Sequence, residues 1–321
     1  MARLSELSLE QAQALGAEFG LSVSSVEALD LGSVNSNFRF TGSDGAQYFA
    51  RLYEEQALAG AQTEVRLLAT LSEAQVPVVD PLSTKAGERV VSHRGKPFAI
   101  FPWVQGDWLC LSQVTPDYCH SLGAALARVH AASETVGSLP EGRFRPSDML
   151  ARLERVERDG HARLAPQIAS IRASYARYLP LRDVSLPRGV CHGDLFRDNV
   201  LWQGSRLSAL LDFESAAWGN FSYDLMVTAL AWCYRDALVL EHVKALFSGY
   251  ASVRSLSAAE RAALPVEGAL GCLRFATSRI TDFELRAAPG APPARDFRRF
   301  LSRLQAIEAG AFAPAWSSLG G

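Results

Sequence analysis

No stretch of this sequence stays apolar long enough to cross a bilayer. Its most hydrophobic run, Leu225 to Trp232, falls far short of the about 20 residues that a spanning helix needs. Cysteine is sparse and scattered. The five cysteines, Cys110, Cys119, Cys191, Cys233 and Cys272, are odd in number and form no C-x-x-C pair, so they read as free thiols in a reducing cytoplasm. The six histidines never fall in H-E-x-x-H spacing, and structural zinc is not expected. No charge dominates. With a net charge of −2 and no Lys/Arg block, neither nucleic acid nor a membrane surface is expected as a partner. The start, Met1 to Glu10, has acids spread through it and no apolar core, so no secretory leader is read there.

What is present is an ordinary globular balance, 48% hydrophobic and 21% charged over 321 residues, long enough for one large or two linked domains. Val34 to Thr41 and Gln47 to Tyr53 read as strands joined by the turn Ser43-Asp44-Gly45, a hairpin. Leu58 to Ala74 has helical spacing at Val65, Leu68 and Leu71. Short strands return from Val78 to Trp103, which makes one main helix on a small antiparallel sheet. After Trp103 the pattern turns helical. Thr115-Pro116 can open a helix that ends near His130, and Asp148 to Tyr178 reads as one charged helical stretch. Short strands recur only at Gly189 to Cys191, Asn199 to Trp202 and Leu207 to Phe213, and helix resumes from Ser222. The fold class is α+β, with expected domains at 1–103 and 104–321.

The informative segment is Gly189-Val-Cys-His-Gly-Asp-Leu-Phe-Arg-Asp-Asn-Val-Leu-Trp202. It contains His192-x-Asp194, with Asn199 five residues beyond, and the next strand ends on Asp212-Phe-Glu214. H-x-D-x-x-x-x-N followed by D-F-x is the order of a phosphoryl-transfer catalytic loop and its metal turn. Such transfer needs an in-line oxygen nucleophile, and Asp194 is a carboxylate able to orient a hydroxyl and take its proton. The charge on ATP calls for Mg2+, a hard cation for which the Asn199 amide and the Asp212 carboxylate are oxygen ligands. H-x-D alone would read as surface polar residues beside a hairpin. The full set, in this order between apolar strands, is what carries the chemistry.

This loop resembles that of the aminoglycoside phosphotransferase superfamily, kinase-like enzymes that phosphorylate small molecules. Gly193 stands where protein kinases carry Arg, and D-F-E replaces D-F-G. Asn35-Ser-Asn-Phe38, Leu122 to His130, Pro187-Arg-Gly-Val190, Tyr223-Asp-Leu225, and Leu273-Arg-Phe275 with Ser278-Arg279 resemble the bacterial homoserine kinases of that superfamily. The resemblance implies a protein-kinase-like bilobal fold: a small antiparallel-sheet N-lobe that covers the nucleotide, and a larger, mostly helical C-lobe. It implies ATP and Mg2+ as cofactors and a small-molecule hydroxyl as acceptor. L-homoserine leads; an aminoglycoside or a choline- or ethanolamine-like amino alcohol is the alternative. The absence of an A-P-E segment after Asp212 disfavours a protein Ser/Thr kinase, and intact Asp194, Asn199 and Asp212 disfavour a silent nucleotide-binding module. A cytoplasmic monomer or homodimer is expected.

Residue by residue, the resemblance places Arg51 where kinases carry a phosphate-binding Lys, with Glu64 as its ion-pair partner. A solvated strand Arg is the alternative for Arg51. Gly32 to Asn37 would cover the nucleotide, with Ser33, Asn35 and Ser36 donating to phosphate oxygens. Phe98 to Trp103, including Phe101 and Trp103, would meet adenine through its backbone. His192 would brace the loop, Asp224 would tie it down, and His130 would be a satisfied, partly buried side chain. A homoserine acceptor would need a carboxylate receptor, Arg274 or Arg279, and an ammonium partner, Glu214 or Asp282. Glu214 falls where homoserine kinases usually carry an aromatic residue.

Overall fold

The computed structural model describes residues 5–30, 34–288 and 292–316, the side chain of Trp316 excepted. The chain divides into two compact units. The first comprises the residues up to Asp107 with Leu201–Gly204 and Ser208–Glu214; the second comprises Trp108–Val200, Ser205–Leu207 and the chain from Ser215 on. A boundary drawn at 103/104 from pattern alone has no means of giving residues 201–204 and 208–214 to the first unit, because their membership rests on pairings distant in sequence.

In the first unit, helix α1 (Leu9–Glu18) opens at Ser8, which exchanges hydrogen bonds with Gln11 in a capping box. Strands β1 (Val23–Leu29), β2 (Ser36–Gly42) and β3 (Gln47–Leu52) precede helix α2 (Leu58–Glu73); β4 (Val91–His93) and β5 (Lys96–Pro102) follow it. They form one antiparallel sheet in the order β1-β2-β3-β5-β4. The β2–β3 hairpin turns at Gly45, at φ 82°, and Asp44 Oδ1 accepts the Ala46 N–H (3.0 Å). The strand period of two then sorts the faces. Phe38, Phe40, Ala50, Leu52, Phe98 and Ile100 join Ala12 and Leu15 of α1, and Phe19 just after it, in one core. Asn37 and Arg51, one step out of phase, are paired in register on the opposite face.

Reading the first hundred residues mainly as strands missed α1, so this unit carries two helices rather than one. The cause is local: α1 is short, and its buried face is only Ala12, Leu15 and Gly16.

The hairpin of β7 (Val200–Gln203) and β8 (Arg206–Leu210) turns at Gly204. Its outer residues bridge to Val78 and Asp107 of the first unit.

In the second unit come α3 (Pro116–Ala131), α4 (Ser133–Val136), α5 (Pro146–Arg158) and α6 (Ala165–Tyr178). After these, β6 (Arg188–Cys191) pairs with β9 (Ala217–Asn220), followed by α7 (Phe221–Trp232), α8 (Leu240–Ala251), α9 (Ala258–Arg279), α10 (Arg298–Glu308) and α11 (Ala313–Trp316). The single helix expected over Asp148 to Tyr178 is two, parted at Gly160 with φ 78°. Thr115 precedes α3 without a side-chain cap bond, Pro116 alone marking the start. The apolar run at Leu225 to Trp232 is the C-terminal two thirds of α7, which is buried on nearly every side. No helix among the described residues is long and apolar enough to cross a membrane.

Helices α3 and α8 meet backbone to backbone through two glycines. A Cβ on Gly123 would stand 2.0 Å from the Leu246 carbonyl oxygen, and one on Gly249 would stand 1.9 Å from that of His120. Glycine inside a helix costs about 1 kcal/mol against alanine; here it permits an approach that no side chain allows. Gly249→Ala must push the helices apart and should destabilise the protein by about 2–3 kcal/mol. Denaturant unfolding measures this, and an unchanged midpoint would contradict the packing.

Candidate active site

In the second unit, the loop that leaves β6 is fastened by one buried acid. Asp224, in the first turn of α7, accepts the His192 N–H at Oδ2 (2.6 Å) and the Gly193 N–H at Oδ1 (2.8 Å). His130 Nε2 lies 3.1 Å from the same Oδ2, and His130 Nδ1 lies 2.7 Å from the Tyr250 hydroxyl. An ionised carboxylate only accepts, so Nε2 carries the proton and Nδ1 accepts from Tyr250. Burial depresses His130 below the usual histidine range despite the pull of Asp224. Burial pushes Asp224 up, but the His130 hydrogen bond and the Gly193 N–H outweigh it and hold the acid below its usual range. His130, expected to be partly buried, is 2% exposed. Gly193 sits at φ 74°, which explains why glycine stands at this point of the loop.

The loop then presents Asp194. Its N–H donates to His192 Nδ1 (3.3 Å), and its carbonyl accepts the Asn199 Nδ2 proton (2.8 Å). Trp232 Nε1 donates to the next carbonyl, that of Leu195 (3.0 Å). The backbone is thus held on several sides, while the Asp194 side chain stays 26% exposed. Asn199 spends its amide nitrogen inside the loop, which leaves Oδ1, a hard oxygen, as its outward donor.

Arg274 of α9 donates from Nη1 to Asp194 Oδ1 (3.1 Å), with its guanidinium 4.1 Å from the Phe144 ring centre and 3.8 Å from that of Phe275. It had been expected to receive an acceptor carboxylate. Its partner in the structure is Asp194, eighty positions away in sequence, and nothing local signals that pairing. Arg279, the other candidate, donates to the Asp296 carbonyl (2.9 Å) and stacks on Phe300 (4.5 Å). Asp282 is paired with Arg152 (3.2 Å), so its charge is already met. A cavity of about 330 Å³ in this unit is walled by Arg274, Phe144, Tyr175, Tyr223, Arg188 and Gly193 among others; Asp194 does not line it.

The first unit holds a second polar cluster. Arg51 donates from Nε to Asn37 Oδ1 (3.3 Å) and from Nη1 to Glu64 Oε1 (3.5 Å), with Glu214 Oε1 at 3.8 Å. Glu214, considered as an ammonium partner, is held here instead, by Arg51 and by the Asn35 side-chain amide. Asn35 also accepts the Glu54 N–H (3.2 Å), and Ser36 donates to Glu54, which Lys96 pairs as well. Both expected phosphate donors are therefore engaged with protein acids. Ser33 lies outside the described residues. Phe101 pairs with Phe49 in the β3–β5 ladder, and the Trp103 N–H donates to Gln47 (3.2 Å).

Three acids, Glu64, Glu214 and Asp212, share the single guanidinium of Arg51. Burial alone would lower Arg51, yet Glu64 and the neighbouring acids hold it above its ordinary value. Burial pushes Glu64 up to about 8; Arg51 opposes this, and Glu214 and Asp212 add to it. Glu64 Oε2 has no hydrogen-bond partner. Asp212 has φ 62°, a left-handed backbone that Asp tolerates better than most residues. In this unit a surplus of acids, an orphaned carboxylate oxygen on Glu64 and the hard oxygens of Asp212 fit a divalent cation such as Mg2+.

Residues 25–256 match the model of the phosphotransferase enzyme family. The chain belongs to that family. It is similar to the homoserine kinase of Methylobacterium radiotolerans, 33% identical over 294 residues, which cover 88% of each chain. Among solved structures it resembles an amicoumacin kinase in complex with AMP-PNP and Ca2+, with TM-score 0.67, 17% identity and 94% of each chain covered. It also resembles a spectinomycin phosphotransferase in complex with ADP and spectinomycin, with TM-score 0.67, 11% identity, and 98% of this chain and 99% of that one covered. These likenesses establish the kinase-like α+β fold. With the family, they make the chain a small-molecule phosphotransferase.

Glu64 gives the pH test. Its carboxyl ionises near 4.5 in an unfolded chain and near 8 here, so the native state binds the extra proton between those values. Its contribution to stability therefore falls as pH rises through that window. Glu64→Gln mimics the protonated acid. Its melting temperature should match wild type near about pH 5 and exceed it near about pH 9. The opposite sign would mean that Arg51 keeps Glu64 ionised.

Proposed function

We propose that the protein transfers the γ-phosphoryl group of ATP to the side-chain hydroxyl of L-homoserine, giving O-phospho-L-homoserine and ADP. The observation that carries phosphoryl transfer is Asp194. Its backbone is held at both N–H and carbonyl, Arg274 fixes Oδ1, and Oδ2 has no protein partner among the described residues. Oδ2 accepts the hydroxyl proton of the acceptor as the new oxygen–phosphorus bond forms. Arg274 sets the orientation of that carboxylate, and its stacking between two rings limits its own movement. Homoserine as the acceptor is supported by relatives of that name that align along most of the chain.

In this reading the first unit handles the nucleotide. The sheet edge at Phe101 and Trp103 meets the base, and Arg51, positioned by Glu64 and Asn37, faces the phosphates. Asn199 Oδ1 and the Asp212 carboxylate would be oxygen ligands for Mg2+, which when bound would neutralise phosphate charge. Four of the five thiols are buried and none is bridged, which supports a reducing cytoplasmic setting.

Asp194→Ala should lower turnover by about 10²–10⁴-fold and leave ATP binding largely intact. Near-normal transfer by that variant would remove Asp194 from its role. Wild-type enzyme offered L-homoserine, choline, ethanolamine and an aminoglycoside with ATP should yield phosphohomoserine by mass spectrometry. A phosphorylated product from another acceptor alone would replace homoserine and keep the phosphotransferase.

A further inference from the structure

The second unit gathers more guanidinium groups near its catalytic loop than it has acids to meet them. Phe196 of the loop, Phe275 of α9 and Phe300 of α10 form an aromatic cluster. Phe275 is stacked on Phe300 (4.9 Å) and Phe196 is edge-on to Phe275 (4.9 Å). Arg274, Arg279 and Arg303 lie over these rings, Arg279 at 4.5 Å and Arg303 at 4.6 Å from the centre of Phe300. Arg274 has Asp194 as its counter-charge. Arg279 and Arg303 have none among the described residues. The hydrogen bond of Arg279 goes to the neutral carbonyl of Asp296, and that of Arg197, next to Phe196, to the carbonyl of Leu109. Of the further arginines around them, Arg295 is paired with Asp198 (2.7 Å).

Half-buried guanidiniums that face one another without an anion are costly, and ring faces offset only part of that cost. Burial pushes Arg279 down to about 10, with Arg303, Arg295 and Arg299 adding to the effect and Asp194 partly opposing it. Arg303 is also depressed, first by burial, with Arg299 and Arg197 contributing. Stability surrendered in this way is common where a ligand supplies the missing charge. The 330 Å³ cavity makes a weaker case. There Arg182 is taken by Glu267 in two bonds (3.0 Å each), Arg145 by Asp148, and Arg274 by Asp194. Only Arg188 in its wall lacks a partner, and it is exposed.

We infer that Arg279, with Arg303 over the same Phe300 ring, receives the carboxylate of the acceptor and thereby selects hydroxy amino acids over amino alcohols that lack a carboxylate. The inference rests on the proposed homoserine activity. In homoserine the carboxylate is only a few bonds from the hydroxyl that Asp194 must reach, so its receptor has to stand near Asp194 on the same unit. Arg279 lies over Phe300, which is stacked on the Phe275 ring that carries Arg274, the partner of Asp194.

The test compares wild type, Arg279→Gln, Arg279→Lys and Arg188→Gln on L-homoserine and on 3-aminopropan-1-ol. Loss of one charge-assisted contact should raise the KM for homoserine in Arg279→Gln about 10–100-fold, leave KM for ATP unchanged and lower the preference for homoserine by a similar factor. Arg279→Lys should recover part of that preference. The melting temperature of Arg279→Gln should equal or exceed that of wild type, because a repelled charge is removed; a merely structural arginine would lower it. Equal losses on both acceptors, a raised KM for ATP, or a collapse of preference in Arg188→Gln instead would each overturn the inference. If wild type leaves homoserine unphosphorylated, the functional reading fails, and calorimetry with L-2-aminobutyrate decides this one. Binding to wild type that is lost in Arg279→Gln supports the receptor, and no binding to wild type rejects it.

Discussion

The catalytic loop depends on Asp224. A fully buried carboxylate is tolerable only when its charge is met, and here two backbone N–H groups and His130 meet it. The same bonds that make the acid tolerable fix the path of His192 and Gly193, and so the point from which Asp194 emerges. His130 in turn is oriented by Tyr250, which also accepts a hydrogen bond from Arg254 (3.2 Å). Tyr250 reaches His130 because the two glycines let α3 and α8 touch. Helix packing thus reaches, through Tyr250, His130 and Asp224, to the loop that carries Asp194.

The parts of the site legible in the sequence are those whose spacing along the chain reflects their chemistry. Asp194 and Asn199 share one turn of loop, and their backbone bond fits the five-residue interval between them. Asp224 was legible through resemblance. The hairpin of β2 and β3 was readable from its turn, since Asp44 and Gly45 carry local conformational instructions. What was not legible depends on contacts that no local pattern encodes. Arg274 meets Asp194 from another helix, and Glu214 returns to Asn35 across 179 positions. Strand β9 has little apolar alternation and exists because β6 offers it an edge. Helix α1 was missed because a short helix with a narrow buried face has little periodic signal to give.

Glu214 illustrates how a departure from a family pattern can be absorbed. Where an aromatic residue was the usual neighbour of Asp-Phe, this chain places an acid, and the first unit meets it with Arg51 and the Asn35 amide. The outcome is a cluster in which acids outnumber the Arg51 guanidinium and burial raises the Glu64 carboxyl above its usual range. Arg suits the centre of such a cluster better than Lys would, because its planar fork engages Asn37 from Nε and Glu64 and Glu214 from Nη1 while remaining charged.

The bond from the Trp232 indole to the Leu195 carbonyl has an optical consequence. Trp232 is fully buried, and its ring nitrogen donates to the carbonyl of the residue after Asp194. Its emission therefore depends on a hydrogen bond that exists only while the loop keeps this path. A chain whose other tryptophans are replaced by phenylalanine would carry a built-in fluorescent gauge of loop order, readable without any substrate or label.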